Sequence, residues 1–213
     1  MKNNFWNENV EQWVQVIDSM GIDSRKITNP AIIQAISDNK LKSVLDVGCG
    51  EGWLARSLPE DIQYTGIDGS EGLIKKAQER SGHLFEAVSY DDLKSKNWRP
   101  NALVEGVVFN FSLLDEDISS TLKSVSEFLL PEGKIIIQTI HPCFKLPTYQ
   151  DGWFIEDFKT MSVDFKDVMP WYGRTLSSWI SEFEKSDLRL CQLIEPRGEG
   201  LPTSIIFILK SVK

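Results

Sequence analysis

Residues 44 to 52, Val-Leu-Asp-Val-Gly-Cys-Gly-Glu-Gly, constrain the fold more than any other stretch. An apolar strand runs into glycines at alternate positions and passes straight into a helical segment, Trp53 to Leu58. Glycine tolerates the positive φ of a tight strand-to-helix turn, and without a Cβ it holds no side chain between the backbone and a ligand at Gly48, Gly50 and Gly52. After a second apolar segment, Ile62 to Ile67, the chain reaches Asp68, 18 residues past Gly50. That is near the distance at which an acidic residue ends the second strand and takes the hydroxyls of a ribose. Loop and carboxylate together read as a nucleotide-cofactor site.

The glycine spacing narrows the choice of nucleotide. Dinucleotide folds use G-x-G-x-x-G, with the third glycine inside the helix and a pyrophosphate on the helix N-terminus. Here the run is G-x-G-x-G, and Trp53 and Leu54 follow at once. Asp46 places a carboxylate close to the loop, which repels a pyrophosphate and suits a cationic cofactor. The stretch Val44 to Gly52 resembles the first motif of the class I S-adenosylmethionine (SAM)-dependent methyltransferases. The resemblance implies that Asp46, Gly48, Cys49, Gly50 and Gly52 surround the methionine part of SAM, that Asp68 with Gly69 holds the ribose, and that S-adenosylhomocysteine is the product.

The likeness extends from about Val44 to Lys213. Many relatives place an acidic residue where Ser89 falls and contact adenine from this loop, where Tyr90 either stacks on the ring or covers the sheet edge. The end of strand four, Phe109-Asn110-Phe111-Ser112-Leu113-Leu114, resembles the segment that closes over the cofactor in small-molecule members. It puts Asn110 and Phe111 beside the cofactor, Phe111 as a candidate aromatic face for the sulfonium. It differs from the Asn-Pro-Pro-Tyr of many nucleic-acid amino methyltransferases. Leu130-Pro-Glu-Gly-Lys resembles the turn into strand five, with Glu132 where glycine is commoner. Trp171-Tyr-Gly-Arg-Thr-Leu and Glu195-Pro196 are similar to small-metabolite and quinone-type methyltransferases.

The bulk properties fit that frame. With 213 residues, 41% hydrophobic and 25% charged, the chain suits one α/β domain, residues 1 to 213, without long disorder. No apolar run approaches the roughly 20 residues of a membrane span, and Met1 to Trp6 lacks the apolar core of a signal peptide, so a cytoplasmic protein is expected. Cys49, Cys143 and Cys191 are widely spaced, which suggests free thiols and neither a disulfide framework nor a metal site. A formal net charge of -8 lacks the basic surface that binding a phosphate backbone needs, so nucleic acid is not an expected partner.

Along the chain, the spacing predicts a helix over Phe5 to Met20, with Trp6, Val10, Trp13, Ile17 and Met20 on one stripe, and another over Pro30 to Ser37. The stripe suits a lid, a homodimer face or simple packing on the sheet. Strand and helix signals then alternate: Ser43 to Val47, Trp53 to Leu58, Tyr64 to Asp68, Ser70 to Arg80, Leu84 to Val88, a helical turn near Asp91, and Val104 to Phe109. A helix over Ile118 to Leu130, stopped by Pro131 and Gly133, precedes a strand over Lys134 to Thr139. Helix Leu176 to Lys185 and strands Leu188 to Glu195 and Ser204 to Lys210 follow. The last two are joined by a polar turn too short for a crossover helix, so they pair antiparallel. The pattern predicts an α/β fold with a doubly wound sheet. Seven strands, mostly parallel with one antiparallel near the C-terminus, are what the resemblance implies.

Between strand five and the last helix, residues 140 to 175 concentrate Phe144, Tyr149, Trp153, Phe154, Phe158, Phe165, Trp171 and Tyr172, far above the chain's 10% aromatic content. Prolines at 142, 147 and 170 break any long helix, so this insert reads as an irregular lid or pocket wall. Trp153, Trp171 and Tyr172 are its candidate substrate contacts. His141, at the carboxyl edge of strand five, is a candidate base for a substrate hydroxyl or amine, against the alternative of a histidine satisfied within its own turn. His83 reads as a surface residue. The expected chemistry is in-line methyl transfer to a small, partly apolar metabolite. Competing readings are a non-catalytic SAM or S-adenosylhomocysteine binder and, against the glycine spacing, an NAD-dependent oxidoreductase.

Overall fold

The apolar stripe at the head of the chain does not form one helix. The protein's computed structural model describes residues 5–212, and here α1 (Phe5–Glu8) and α2 (Val10–Asp18) are separated at Asn9. Asn9 is fully buried; its Nδ2 donates to the Phe5 carbonyl at 3.0 Å, and its Oδ1 accepts from the Lys166 backbone N–H at 2.7 Å. A side chain that bonds backbone in this way competes with the helix ladder. Residues 1 to 4 of the expected N-terminal region lie outside the described residues. The next helix, α3 (Arg25–Asp38), starts before the expected Pro30, which sits exposed inside it. The missing proline N–H weakens the ladder locally. Burial of Thr28, Ile32, Ala35 and Ile36 keeps the helix together.

The rest of the chain alternates as its pattern predicts: β1 (Ser43–Val47), α4 (Trp53–Ser57), β2 (Gln63–Asp68), α5 (Glu71–Arg80), β3 (Leu84–Ala87), α6 (Tyr90–Lys94), β4 (Val104–Asn110), α7 (Ser119–Ser126), β5 (Leu129–Ile140), α8 (Pro142–Lys145), β6 (Gly152–Glu156), β7 (Met169–Gly173), α9 (Leu176–Lys185), β8 (Leu188–Ile194) and β9 (Ser204–Ser211). A seven-stranded sheet takes the order β3-β2-β1-β4-β5-β9-β8. Its first five members are parallel, and β9 is antiparallel to both β5 and β8. One strand is therefore reversed, as expected.

Two boundaries differ from the sequence reading. Helix α7 ends at Ser126, and β5 begins at Leu129 and runs through Pro131 and Gly133. The β4–β5 register slips between Val104 and Gly106, and Glu132 takes a φ of 67°. A proline that needs no ladder partner is tolerated in such a bulge. Alternation then sorts the core: Leu45, Val107, Phe109, Ile135 and Phe207 face α7 and α9, whereas Val44, Val108, Ile136, Ile206 and Ile208 face α3, α4 and α5.

The aromatic insert is more regular than its prolines suggest. Strands β6 and β7 pair antiparallel as a separate hairpin, with Trp153 opposite Tyr172 and Phe154 opposite Trp171. Phe5 stacks on Phe158 and Phe165, with ring centres 5.4 and 5.7 Å apart. Met169, Trp6, Trp13, Leu114, Met161 and Trp171 complete this third apolar cluster. It joins α1 and α2 to the insert as a roof. The roof is fastened to the sheet's carboxyl edge where the Tyr172 N–H donates to the Leu114 carbonyl at 2.8 Å and where Ser70 Oγ bonds Asn7 Oδ1 at 2.7 Å. Among the described residues, no helix is long and apolar enough to cross a membrane.

Candidate active site

The loop after β1 is tied to the end of β2 by its backbone. The N–H groups of Gly48 and Cys49 donate to the Ile67 carbonyl at 2.8 and 3.0 Å. Asp68 accepts from Gly50 N at 2.9 Å through Oδ2 and from Ser70 N at 2.8 Å through Oδ1. Asp68 thus holds the loop while its remaining lone pairs stay free to meet a ribose. Burial raises its pKa, and the two N–H donors oppose that shift.

The three glycines have positive φ values of 80°, 57° and 79°, but their surroundings differ. A Cβ on Gly48 would lie 2.3 Å from Ser112 Cβ, and one on Gly52 would meet the Phe85 ring at 2.9 Å. Those two make room for the protein itself. Only Gly50 opens outward, its nearest neighbour being Trp13 Nε1 of the roof at 4.0 Å. The expectation that all three keep side chains off a ligand narrows to Gly50. The Cys49 thiol is turned into the core, where burial raises its pKa, so only its backbone belongs to the loop. Gly69 is exposed beside Asp68.

Below the loop, Asp46 is buried, with Oδ2 accepting from the Tyr64 hydroxyl at 2.5 Å and Oδ1 without a partner. Burial, and secondarily the Asp68 charge, push its pKa up to about 7 against the Tyr64 bond. Val108 stands opposite Asp46 and Asn110 opposite Gln138, so alternation sets Asp46, Asn110 and Gln138 on one face of the sheet. Asn110 Oδ1 and Gln138 Oε1 are also buried and unpartnered. An unmet buried acceptor costs about 1 to 3 kcal/mol, so a cluster of them beneath a glycine loop fits a cationic, hydrogen-bond-donating ligand. At the tip of β4, Phe111 takes a φ of 56°, and its N–H donates to the Gln138 carbonyl at 2.8 Å. Such left-handed backbone in a bulky residue is strained.

Several predicted contacts are placed differently. Ser89 caps α6: its hydroxyl donates to Asp92 Oδ2 at 2.5 Å and accepts from the Asp92 N–H at 3.2 Å, which commits it to the helix rather than to adenine. Tyr90 packs on the core and donates its hydroxyl to the Ser112 carbonyl at 2.8 Å, bridging the ends of β3 and β4. It covers the sheet edge, and burial holds its phenol well above the usual range. His141 is corrected as the candidate base. Its Nδ1 accepts from the Cys143 N–H at 3.2 Å and its Nε2 bonds Glu195 Oε1 at 2.8 Å, so neither ring nitrogen is left to take a substrate proton. Cross-strand pairing splits the proposed pocket wall: Trp153 and Tyr172 share one face of the hairpin, Phe154 and Trp171 the other. Trp153 is 55% exposed, whereas Trp171 packs into the roof cluster. Sequence reasoning passed over Arg25, Gln12 and Ser112. Ser112 Oγ donates to the Val47 carbonyl at 2.6 Å and pins β4 to β1, yet nothing in its sequence neighbourhood marks that contact.

Residues 44–133 match the family described as a methyltransferase domain. The chain is therefore similar to methyltransferases across the stretch that holds the glycine loop and Asp68. It is 30% identical over 124 residues to an uncharacterized methyltransferase of Mycobacterium tuberculosis, covering 57% of this chain and 60% of that protein. It is 29% identical over 129 residues to a ubiquinone biosynthesis O-methyltransferase of Coxiella burnetii, covering 58% and 55%. The match thus spans under two thirds of either relative. In structure, the methyltransferase fold is shared with an S-adenosylmethionine-dependent methyltransferase from Clostridium acetobutylicum at a TM-score of 0.64 and 14% identity, covering 94% of this chain and 97% of that one. The chemistry of the cradle fits SAM: the Asp68 carboxylate ends β2 beside the loop, Gly50 opens outward, and the unpartnered acceptors on Asp46 and Asn110 suit an ammonium group.

Proposed function

We propose that this protein transfers the methyl group of SAM to a small, partly apolar molecule held beneath the roof. The observation that carries this reading is the aromatic layer closing over the one outward-facing glycine of the loop, through Trp13 above Gly50. Bound SAM supplies an electrophilic methyl group on a sulfonium. The chain's own task is alignment: Asp68 fixes the ribose end, Asp46 and Asn110 offer acceptors to the amino group, and the strained tip at Phe111 borders the reacting end. Positioning of this kind contributes about 7 to 11 kcal/mol to a bimolecular barrier. The roof excludes water from that alignment. With both His141 nitrogens bonded, the reading uses no histidine base. The name of the Coxiella relative, an O-methyltransferase of ubiquinone biosynthesis, supports an oxygen acceptor on a small molecule.

The test is incubation with methyl-labelled SAM and a panel of small phenols, quinols and amines. Label is expected in a small product, with transfer lost in Asp68→Ala. SAM binding without transfer to any panel member would favour the non-catalytic binder instead.

A further inference from the structure

The two edges of the β6–β7 hairpin are unlike. The Tyr172 N–H donates to the Leu114 carbonyl at 2.8 Å, so it points away from β6, and Trp153–Tyr172 is a pair whose backbone groups face outward. The pair two residues on, Ile155–Pro170, is of the same kind. On β7 both outward positions are closed: Leu114 uses one N–H, and at Pro170 there is none. On β6 they belong to Trp153 and Ile155, and among the described residues no further strand runs beside them. Their side chains are 55% and 71% exposed and share an apolar face with Pro170 and Tyr172.

The outer strands of the large sheet are blunted. Strand β3 has only four residues and carries Glu86, while β8 carries Arg189 and its register slips between Leu190 and Gln192. Strand β6, Gly-Trp-Phe-Ile-Glu, has no proline and no charge before Glu156. An edge left in that state accepts another strand. It is also self-complementary. With a two-fold axis at Phe154, an antiparallel copy sets Trp153 opposite Ile155 of the second copy, and the outward N–H and C=O groups of the two residues exchange hydrogen bonds. Each indole then lies beside an Ile155 side chain, and Glu156 falls opposite Gly152. At the strand ends the register brings Asp151 towards Asp157 of the second copy, where Lys159, 2.7 Å from Asp157, offsets the like charges. Copies with a net charge of -8 repel one another unless they meet on such a neutral strip, and the same neutrality offers a charged peptide nothing to pair with. We propose that β6 is a self-association edge, through which two copies join their roofs into one four-stranded sheet, β7-β6-β6-β7. The hairpin thereby gains the neighbouring strands that a two-stranded sheet lacks.

Sedimentation velocity of the full chain from about 1 to 100 µM, with amide exchange read at both ends of that range, tests this. The expected result is a reversible dimer in which the outward amides of Trp153 and Ile155 slow by about 10-fold at the higher concentration, while that of Phe154, which faces β7, is unchanged. Ile155→Lys alters an exposed side chain outside the roof cluster, so it should give a monomer across the range with the urea midpoint of the dilute chain unchanged. A wild type that stays monomeric throughout would overturn the proposal. A dimer whose Trp153 and Ile155 amides exchange as in the monomer, or one that Ile155→Lys leaves intact, would overturn it too, because the contact would then lie on another surface.

Discussion

Backbone N–H groups bonded to Ile67 and Asp68 hold the loop at residues 48 to 52, whereas the roof above it is held by rings from distant parts of the chain, Phe5 against Phe158 and Phe165. The loop leaves no space for an added atom at Gly48 or Gly52. Asn9 is a buried polar anchor within the roof, which meets the sheet edge through the Tyr172 N–H to Leu114 carbonyl bond and the Ser70–Asn7 bond. Seat and cover are thus held by different kinds of contact, polar backbone bonds in one and packed rings in the other.

Gly48→Ala should have the largest effect. Left-handed strain of about 1 to 2 kcal/mol adds to about 1 to 3 kcal/mol of overpacking against Ser112. Urea unfolding should show a loss of that size, and SAM titration a loss of binding; wild-type values in both would mean that the loop is softer than its contacts indicate. Next comes the pH response of the seat. Asp46 shifts from 3.8 to about 7 on folding, so the folded state keeps a proton that the unfolded chain has lost. Stability of the ligand-free protein should therefore fall as pH rises through that window, by up to about 4 kcal/mol, and stay level above it. Asp46→Asn should flatten the profile, and a flat wild-type profile would sink the assignment. Phe5→Ala should be smaller and local. Amide exchange in α2 and the hairpin should accelerate by about 100-fold, the equivalent of a truncated core phenylalanine at about 3 kcal/mol, with β1 and β4 unchanged. Acceleration spread equally over the sheet would show that roof and seat unfold as one.

The same division governs what could be read in advance. Val44 to Gly52 and Asp68 declare themselves because their chemistry lies in short spacing, and the strand alternation around them follows from a period of two. Pro30 and Pro131 mislead for the opposite reason: local rules place an end at each, while tertiary packing carries α3 through one and a bulge absorbs the other. The insert reads as irregular because aromatic residues on both hairpin faces hide its alternation. Arg25 has no motif at all, since its two indoles come from α2 and α4 and meet only in three dimensions.

The position of β9 between β5 and β8 bears on how the molecule emerges from the ribosome. Strand β8 is made before the strand that separates it from β5, so it has no sheet neighbour until residues 204–211 exist. At about 5 to 20 residues per second, β5 keeps an open edge for several seconds or more after it is made. Over that interval Ile135 to Ile140 is an unprotected apolar edge in a crowded cell. Nascent chains stalled before Ser204 should therefore engage holdase chaperones that release once β9 is inserted.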